Sequence, residues 1–277
     1  MKSPRRQKRS ARRSVPNISM DDRQKRIVEL LQKEGKIRVE VLADTLRVSQ
    51  VTIRKDLDAL EGRGLIERIH GSAVFSHQSR FNISFLEKLH VNARAKRQIA
   101  QAALNLINEG DSIILDAGTT TFALAQALAV SRLKSVFVIT NSLTAALELS
   151  KAGYEVLVAG GLVRNHSLAL IGGAAVKALE NHRADRAFLG TGGITVSHGC
   201  STPSAVDAEV KQAMVQAAEE VCILTDSSKF GHNCLVRFAS LSEIDLFITD
   251  SELSPKFLNE LKQNGVAIRL ADPTVSG

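Results

Sequence analysis

The chain has 277 residues, of which 44% are hydrophobic, and a formal net charge of +7. Its apolar runs are shorter than the roughly 20 residues of a membrane-spanning helix, and no apolar segment follows the basic start. We therefore expect neither a membrane span nor a secretory signal, and we place the protein in the cytoplasm.

The first 20 residues carry the excess of positive charge. They contain seven Lys and Arg and no acidic residue, whereas the rest of the chain is close to neutral. Because they lack apolar periodicity, residues 1–20 are predicted to form a disordered tail. Such a tail can add non-specific phosphate contacts to a protein that binds DNA, result from a mis-assigned start site, or resemble a transit peptide. The first two explanations are favoured, because the tail has no apolar face for an amphipathic helix.

Residues 21–75 show the apolar spacing of three helices. The first is predicted over "DDRQKRIVELLQKEGK", the second over "VEVLADTL" and the third over "RVSQVTIRKDLDALEGRG", where Ser49 is a good N-cap. The apolar side chains expected to face the core recur at helical spacing and are Ile27, Leu30, Leu31, Val41, Leu42, Leu46, Ile53, Leu57 and Leu60.

The connections between these segments predict a winged helix-turn-helix domain. Only Arg47 and Val48 separate the second helix from the third, which is typical of a helix-turn-helix. After Gly64, "LIERIHGSAVF" predicts a β-hairpin wing around His70, Gly71 and Ser72.

The third helix presents polar side chains that suit DNA. Arg and Gln can form paired hydrogen bonds with guanine and adenine, and Ser, Thr and Lys suit phosphates or base edges. A solvated helix face is the simpler explanation of such residues alone, but the short turn and the wing favour DNA binding. The predicted DNA contacts are Ser49, Gln50, Thr52, Arg54 and Lys55, with Arg68 and His70 from the wing.

The positions "VS..TIR.DL..LE..G.I.R.HG.A", from Val48 to Ala73, resemble the N-terminal domain of the DeoR family of bacterial transcriptional regulators. Two residues depart from the family pattern. Ser72 stands where the family usually has a second Gly, so the wing tip is expected to differ if that turn needs a positive φ. Lys55 replaces a frequent Arg and gives up its bidentate geometry.

The second part of the chain alternates strands and helices. Residues 76–92 are predicted to be a linker, and 93–277 a separate domain that begins with the helix "NARAKRQIAQAALNLI". Short Val/Ile/Leu runs without polar alternation predict a mainly parallel sheet in an α/β fold. The predicted strands are "SIILDA", "SVFVIT", "EVLVAG", "RAFLGT", "VCILTD", "DLFITD" and "VAIRL".

Polar residues follow several of these strands. "DAGTTT" offers a tight turn, three hydroxyls and a helix N-terminus, which together predict an anion cradle. Lys229 can add a cation, and Asp116 or Asp226 can accept sugar hydroxyls. Gly and Thr can also serve only as turn and cap residues, but several polar strand ends at one sheet edge favour a pocket for a small phosphorylated polyol.

The sequence lacks the usual cofactor and metal motifs. There is no G-x-x-x-x-G-K-[ST], no full G-x-G-x-x-G, no H-E-x-x-H and no G-x-S-x-G. Cys200, Cys222 and Cys234 show no C-x-x-C spacing, which argues against a disulfide framework and a zinc site. We expect no cofactor and no metal.

"GDSIILDAGTTTFALAQAL", "VITNSL", "AGGLVR", "LGTGGI" and "LTDSSKFG" resemble the C-terminal effector domain of the same family. The resemblance implies a fold similar to ribose-5-phosphate isomerase and glucosamine-6-phosphate deaminase, with a sugar phosphate as effector. Glu209 and Lys211 also match family positions, but an exposed pair on one helix is the simpler explanation. The implied pocket residues are Asp116, Gly118, Thr119, Thr120, Thr121, Thr140, Asn141, Gly160, Gly161, Gly190 and Lys229.

The function predicted from both resemblances is that of a homodimeric or homotetrameric repressor of a sugar or polyol operon, released from double-stranded DNA by the effector. A sugar-phosphate isomerase or deaminase carrying a DNA-binding head is the alternative, with Asp116, Asp226, Glu209 and Lys229 as acid-base candidates. A structural nucleoid protein that binds through the basic tail is the third hypothesis.

Overall fold

The computed structural model describes residues 20–62, 66–69, 71–75 and 85–274, which fall into two compact units divided between residues 82 and 83. His70, residues 76–84 of the predicted linker and nearly all of the predicted tail lie outside these ranges.

The N-terminal unit has the predicted helix-turn-helix and wing. Its described elements are α1 (Met20–Glu34), β1 (Lys36–Arg38), α2 (Val39–Leu46), α3 (Gln50–Gly62), β2 (Ile66–Ile69) and β3 (Ser72–Phe75). The strands pair antiparallel in the order β1-β3-β2, so a strand that the sequence did not predict completes the wing sheet. The positive φ of the wing turn falls on Gly71, while Ser72 pairs as a strand residue, so the expected strain at Ser72 does not arise.

The apolar stripes of the three helices form the core of this unit. Ile27, Leu31, Ile53, Leu57 and Leu60 are buried as predicted, but Val41 is 48% exposed. Because α2 begins at Val39, its inward positions are Val39, Leu42, Ala43 and Leu46, at helical spacing. Arg47 takes a left-handed conformation, which turns the chain sharply into α3.

Ser49 caps the third helix. Its Oγ accepts a hydrogen bond from the Thr52 backbone N–H at 3.1 Å and lies 2.8 Å from the Thr52 Oγ1. Replacing Ser49 with Ala is therefore expected to destabilise the N-terminal unit by about 1 kcal/mol, as measured by urea unfolding without DNA. Ser49→Thr should recover most of the loss, and an alanine variant as stable as the parent would contradict the capping role.

The second unit contains the predicted parallel sheet. Its strands are β4 (Ser112–Leu115), β5 (Phe137–Thr140), β6 (Glu155–Val158), β9 (Ala184–Leu189), β12 (Ala218–Leu224), β14 (Leu246–Thr249) and β15 (Ile268–Leu270). They pair in parallel in the order β15-β14-β12-β9-β4-β5-β6, and each corresponds to one predicted strand.

Helices cover both faces of this sheet. They are α4 (Phe85–His90), α5 (Ala93–Leu104), α6 (Thr119–Ala129), α7 (Leu143–Lys151), α8 (Gly173–Glu180), α9 (Ala205–Gln216) and α10 (Pro255–Gln263). Ile113 and Leu115 of β4 join one hydrophobic cluster with α5, α6 and α7, whereas Ile114 joins another with α8, α9 and α10. Since strand side chains alternate between faces, the two clusters lie on opposite sides of the sheet.

Several short elements lie beyond the sequence prediction. They are the hairpin β7 (Leu162–Arg164) and β8 (Ala169–Ile171), a sheet formed by β10 (Gly193–Thr195), β11 (Gly199–Thr202) and β13 (Val236–Ala239), and two 3-10 turns, Ser227–Lys229 and Leu241–Glu243. Helix α4 falls inside the predicted 76–92 linker. Its residues belong to the second unit because Phe85 is buried against that unit, with its ring 5.5 Å from the ring of Phe122.

Candidate functional site

The strand order reverses at β4 and β9, and the carboxyl ends of these two strands bring predicted site residues together. From β4 the chain continues to β5 and β6 on one side, then returns to β9 on the other, which is the usual ligand position in such sheets. The buried carboxylate of Asp116, after β4, accepts a hydrogen bond from the Gly190 N–H, after β9, at 3.0 Å. Gly118 also lies here, since a Cβ at this position would stand 3.9 Å from the Gly190 Cα.

Lys211 of α9 completes this contact. Its ammonium forms an ion pair with the Asp116 carboxylate and donates to the Gly190 carbonyl at 2.8 Å. The ammonium also lies 5.2 Å from the centre of the Phe238 ring. The interpretation of Glu209 and Lys211 as an exposed pair is therefore wrong for Lys211, which turns inward, while Glu209 is exposed. Two positions apart on a helix, the two side chains face different directions.

The Gly-Thr turn after β4 is held by its own side chains. The Thr121 Oγ1 accepts from the Gly118 N–H at 2.9 Å and donates to the Asp116 carbonyl at 2.6 Å. Thr121 is thus used to shape the turn. Thr119 and Thr120 begin α6, where backbone N–H groups have no carbonyl in a preceding turn and can bind an anion.

The polar side chains at the end of β5 form hydrogen bonds within the fold, except for one buried acceptor. The Thr140 hydroxyl donates to the Leu115 carbonyl at 2.6 Å, and the Ser142 hydroxyl caps α7. Asn141 donates through Nδ2 to the Leu170 carbonyl at 3.2 Å. Its buried Oδ1, however, has no hydrogen-bond partner among the described residues. Asn141 is therefore the residue of this group with an open acceptor.

Gly160 and Gly161 lie between β6 and β7 and are exposed. Gly161 has a φ of +126°, and a Cβ there would lie 2.4 Å from the Ile171 carbonyl oxygen. The glycine is thus required by the close return of the hairpin β7–β8, whatever its role toward a ligand.

A second group of charged side chains surrounds Asp226, after β12. The Asp226 carboxylate is buried and accepts from the Asn92 Nδ2 at 3.0 Å and the Ser228 N–H at 3.2 Å. Burial raises the pKa of Asp226, but Lys229, Ser228, Lys96 and Asn92 outweigh this effect, so its pKa lies below the ordinary value. Asp226 is held as an anion by these neighbours.

Lys96, which the sequence analysis missed, is part of this group. It is buried, and its ammonium donates to the Lys88 carbonyl at 2.5 Å. Burial lowers the pKa of Lys96 to about 8, with Asp226 opposing the shift and Lys229 and Lys88 adding to it. The sequence around Lys96 contains no recognisable motif. Whether a lysine on an amphipathic helix is buried can be decided only from its contacts in the folded protein.

Four of the predicted DNA-contact residues of the first unit lie on α3. Gln50, Arg54 and Lys55 are exposed on α3, and Thr52 is half-buried. Val51, which the sequence analysis did not select, is 61% exposed beside them and can contact a thymine methyl group. The Arg68 guanidinium forms an ion pair with Asp58 of α3, so it is less available than predicted.

Two family models match the chain, one on each unit. Residues 23–79 match the DeoR-like helix-turn-helix domain, and residues 91–251 match the DeoR C terminal sensor domain. The chain belongs to the DeoR family. This DeoR-family chain is a DNA-binding transcriptional regulator, as the sequence analysis predicted.

Whole-length relatives agree with this assignment. The HTH-type transcriptional regulator GlpR of Haloferax volcanii is 40% identical over 247 residues, covering 89% of this chain and 96% of the relative. The lactose phosphotransferase system repressor of Lactococcus lactis is 34% identical over 243 residues, covering 87% and 95%. Both alignments span the helix-turn-helix and the sensor domain together.

Among solved structures, the chain is similar to ribose 5 phosphate isomerase A from Neisseria gonorrhoeae. The match covers 49% of this chain and 52% of that one, with a TM-score of 0.37 and 17% sequence identity. Across the described residues, every helix is too short or too polar to cross a membrane.

Proposed function

We propose that this regulator represses a sugar or polyol catabolic operon in the cytoplasm and releases its operator when a phosphorylated sugar binds at the strand ends of the sensor unit. The observation that carries the proposal is that one chain has both features. Gln50, Arg54 and Lys55 form an exposed surface on α3, and a cation-rich site lies at the carboxyl edge of the sheet in the second unit. The Lactococcus relative, a lactose phosphotransferase system repressor, supports the same class of target.

The effector would be held by groups that follow strands β4, β5 and β12 and by Lys96 of α5. The first-turn N–H groups of α6 and the ammonium groups of Lys96 and Lys229 suit a phosphate. The open Oδ1 of Asn141 and the Asp226 carboxylate suit sugar hydroxyls. Asp116 has a structural role instead. Lys211 neutralises its charge, and the two side chains together hold the Gly190 loop.

A sensor explains these carboxylates better than an isomerase or deaminase does. Proton transfer at sugar carbons needs a carboxylate poised as a base near neutral pH. Asp116 is ion-paired, Asp226 has a lowered pKa, and Glu209 is exposed on the outside of α9. An NMR time course of sugar phosphates with purified protein is expected to show no turnover, and sustained conversion would support the enzyme alternative.

The main test is operator binding titrated with ligands at fixed salt. The operator is first selected from random duplexes, and gel shifts are then measured with phosphorylated aldoses, ketoses and polyols. We expect at least one of them to weaken operator binding tenfold or more, which corresponds to about 1.4 kcal/mol of coupling. The unphosphorylated sugars are the matched controls. Operator binding unaffected by every phosphorylated compound would contradict the proposal.

Arg54→Ala tests the DNA surface. Removing a side chain that pairs with a base is expected to weaken specific operator binding roughly 5- to 150-fold. The control is Lys256→Ala, an exposed lysine of the sensor unit, which should leave operator binding within about twofold. If deletion of residues 1–19 abolishes binding while Arg54→Ala does not change it, the nucleoid hypothesis is supported instead.

A further inference from the structure

We propose that Lys88 binds the anionic group of the effector together with Lys96 and Lys229, so that ligand occupancy acts directly on helix α4. This inference rests on the proposed function, because it assigns a further contact and a route of regulation to the same site. Neither the sequence patterns nor the family match selects Lys88, which lies just before the matched sensor region.

Helix α4 is attached at both ends to elements that border the strand-end site. At its start, the ring of Phe85 packs edge-on against Phe122, which follows the Gly-Thr turn on α6. The Phe85 N–H also donates to the His166 carbonyl, in the turn of the hairpin β7–β8, at 2.7 Å. At its other end, the Lys88 carbonyl accepts from the ammonium of Lys96. The helix is thus fixed by groups that themselves surround the site.

The ammonium of Lys88 lies among other cations. Lys229 and Arg164 are close enough to act on its charge, as are Asp207 and the thiol of Cys234. Asp207 is already ion-paired with Arg164. Among the described residues, no carboxylate lies within ion-pair distance of Lys88 itself. Burial lowers the pKa of Lys88, and Lys229 and Arg164 lower it further, while Asp207 and Cys234 oppose the shift.

The charge of this group matches a phosphate monoester. Lys88, Lys96, Lys229 and Arg164 stand against the two carboxylates of Asp207 and Asp226, which leaves two positive charges. A phosphate monoester carries about −1.5 to −2 at pH 7. Partly buried cations without a counter-ion are unfavourable, and a bound dianion removes that cost.

Binding there would change the restraints on α4. A phosphate that recruits the Lys96 ammonium competes with the Lys88 carbonyl for it, and at the same time draws the Lys88 side chain toward the site. In chain order, α4 directly follows residues 76–84, which lead from the DNA-binding unit. A ligand that favours one position of α4 therefore has a means of biasing operator affinity.

The test compares Lys88→Met and Lys88→Arg in the full-length protein. Methionine keeps the apolar stem and removes the charge, whereas arginine retains it. Binding of inorganic phosphate and of the phosphorylated panel is measured by calorimetry and thermal shift. We expect Lys88→Met to weaken binding about 10- to 100-fold, the effect of losing a hydrogen bond to a charged group, and Lys88→Arg to recover most of it.

Two controls keep the outcome decisive. Lys177→Met removes an exposed lysine of α8 and should leave phosphate binding unchanged. Far-UV circular dichroism checks folding, and Lys88→Gln replaces the methionine variant if that one does not fold. Wild-type affinity in Lys88→Met or Lys88→Gln, with the parent binding a phosphorylated sugar, overturns the assignment of Lys88 alone. A parent that binds no member of the panel and no phosphate overturns the proposed function as well.

Discussion

An Asp56→Ala variant is expected to lose most of the stability of its DNA-binding unit and, with it, operator binding. Asp56 lies on α3 and is 1% exposed. Its carboxylate accepts from the Arg23 Nε at 2.5 Å, from the Arg23 Nη2 at 3.0 Å and from the Gln24 Nε2 at 3.3 Å. These bonds fasten α1 to the helix that carries the DNA-contact residues.

The expected cost follows from removing one partner of a buried pair. Removing the carboxylate partner of a buried guanidinium destabilises a protein by about 3–5 kcal/mol. Domains have total stabilities of about 5–15 kcal/mol, so this loss unfolds much of a small unit. Asp56→Asn, which keeps the shape and one acceptor oxygen, should cost less than Asp56→Ala.

Amide hydrogen exchange measures the loss of stability in the DNA-binding unit itself. The chain has no Trp, and its one Tyr, Tyr154, belongs to the sensor unit, so fluorescence does not report on α1 and α3. The control is Asp58→Ala on the same helix, whose side chain is 58% exposed and whose ion pair with Arg68 contributes at most about 1 kcal/mol. Unchanged protection of α1 and α3 in Asp56→Ala would show that the pair does not hold the unit together.

The regular part of the fold follows from the sequence because its signals are local. A buried parallel strand such as "SIIL" or "LFIT" is a continuous apolar run, and each such run became a strand of the sheet. The hairpin β7–β8 and strand β10 contain three residues per strand, too few to show a period. Helix α4 has six residues, and its stability comes from the contacts of Phe85 rather than from a pattern.

The strand-end residues were predictable and their ionic partners were not. Asp116 and Gly190 could be placed together because both follow strands of one parallel sheet, whose carboxyl ends share an edge. Lys211 reaches Asp116 across 95 positions of sequence, from a helix that also carries the exposed Glu209. Only the packing of α9 on the sheet decides which of these side chains faces inward. Lys88 and Lys96 were missed for the same reason.

Replacing Lys211 with Met is expected to destabilise the sensor unit by about 3–5 kcal/mol and to abolish effector binding. The Asp116 carboxylate is 3% exposed, and Lys211 is its ion-pair partner, itself 12% exposed. Without the ammonium, the carboxylate remains buried beside the Gly190 N–H, and the loop after β9 loses the bond from Lys211 to the Gly190 carbonyl. Lys256→Met, at an exposed position, is the control and should change stability by less than about 0.5 kcal/mol.

A double variant separates the ion pair from simple loss of packing. Adding Asp116→Asn to Lys211→Met should restore part of the lost stability at pH 7, because no charge then remains buried. No recovery in the double variant would instead assign the effect of Lys211 to its packing against Phe238.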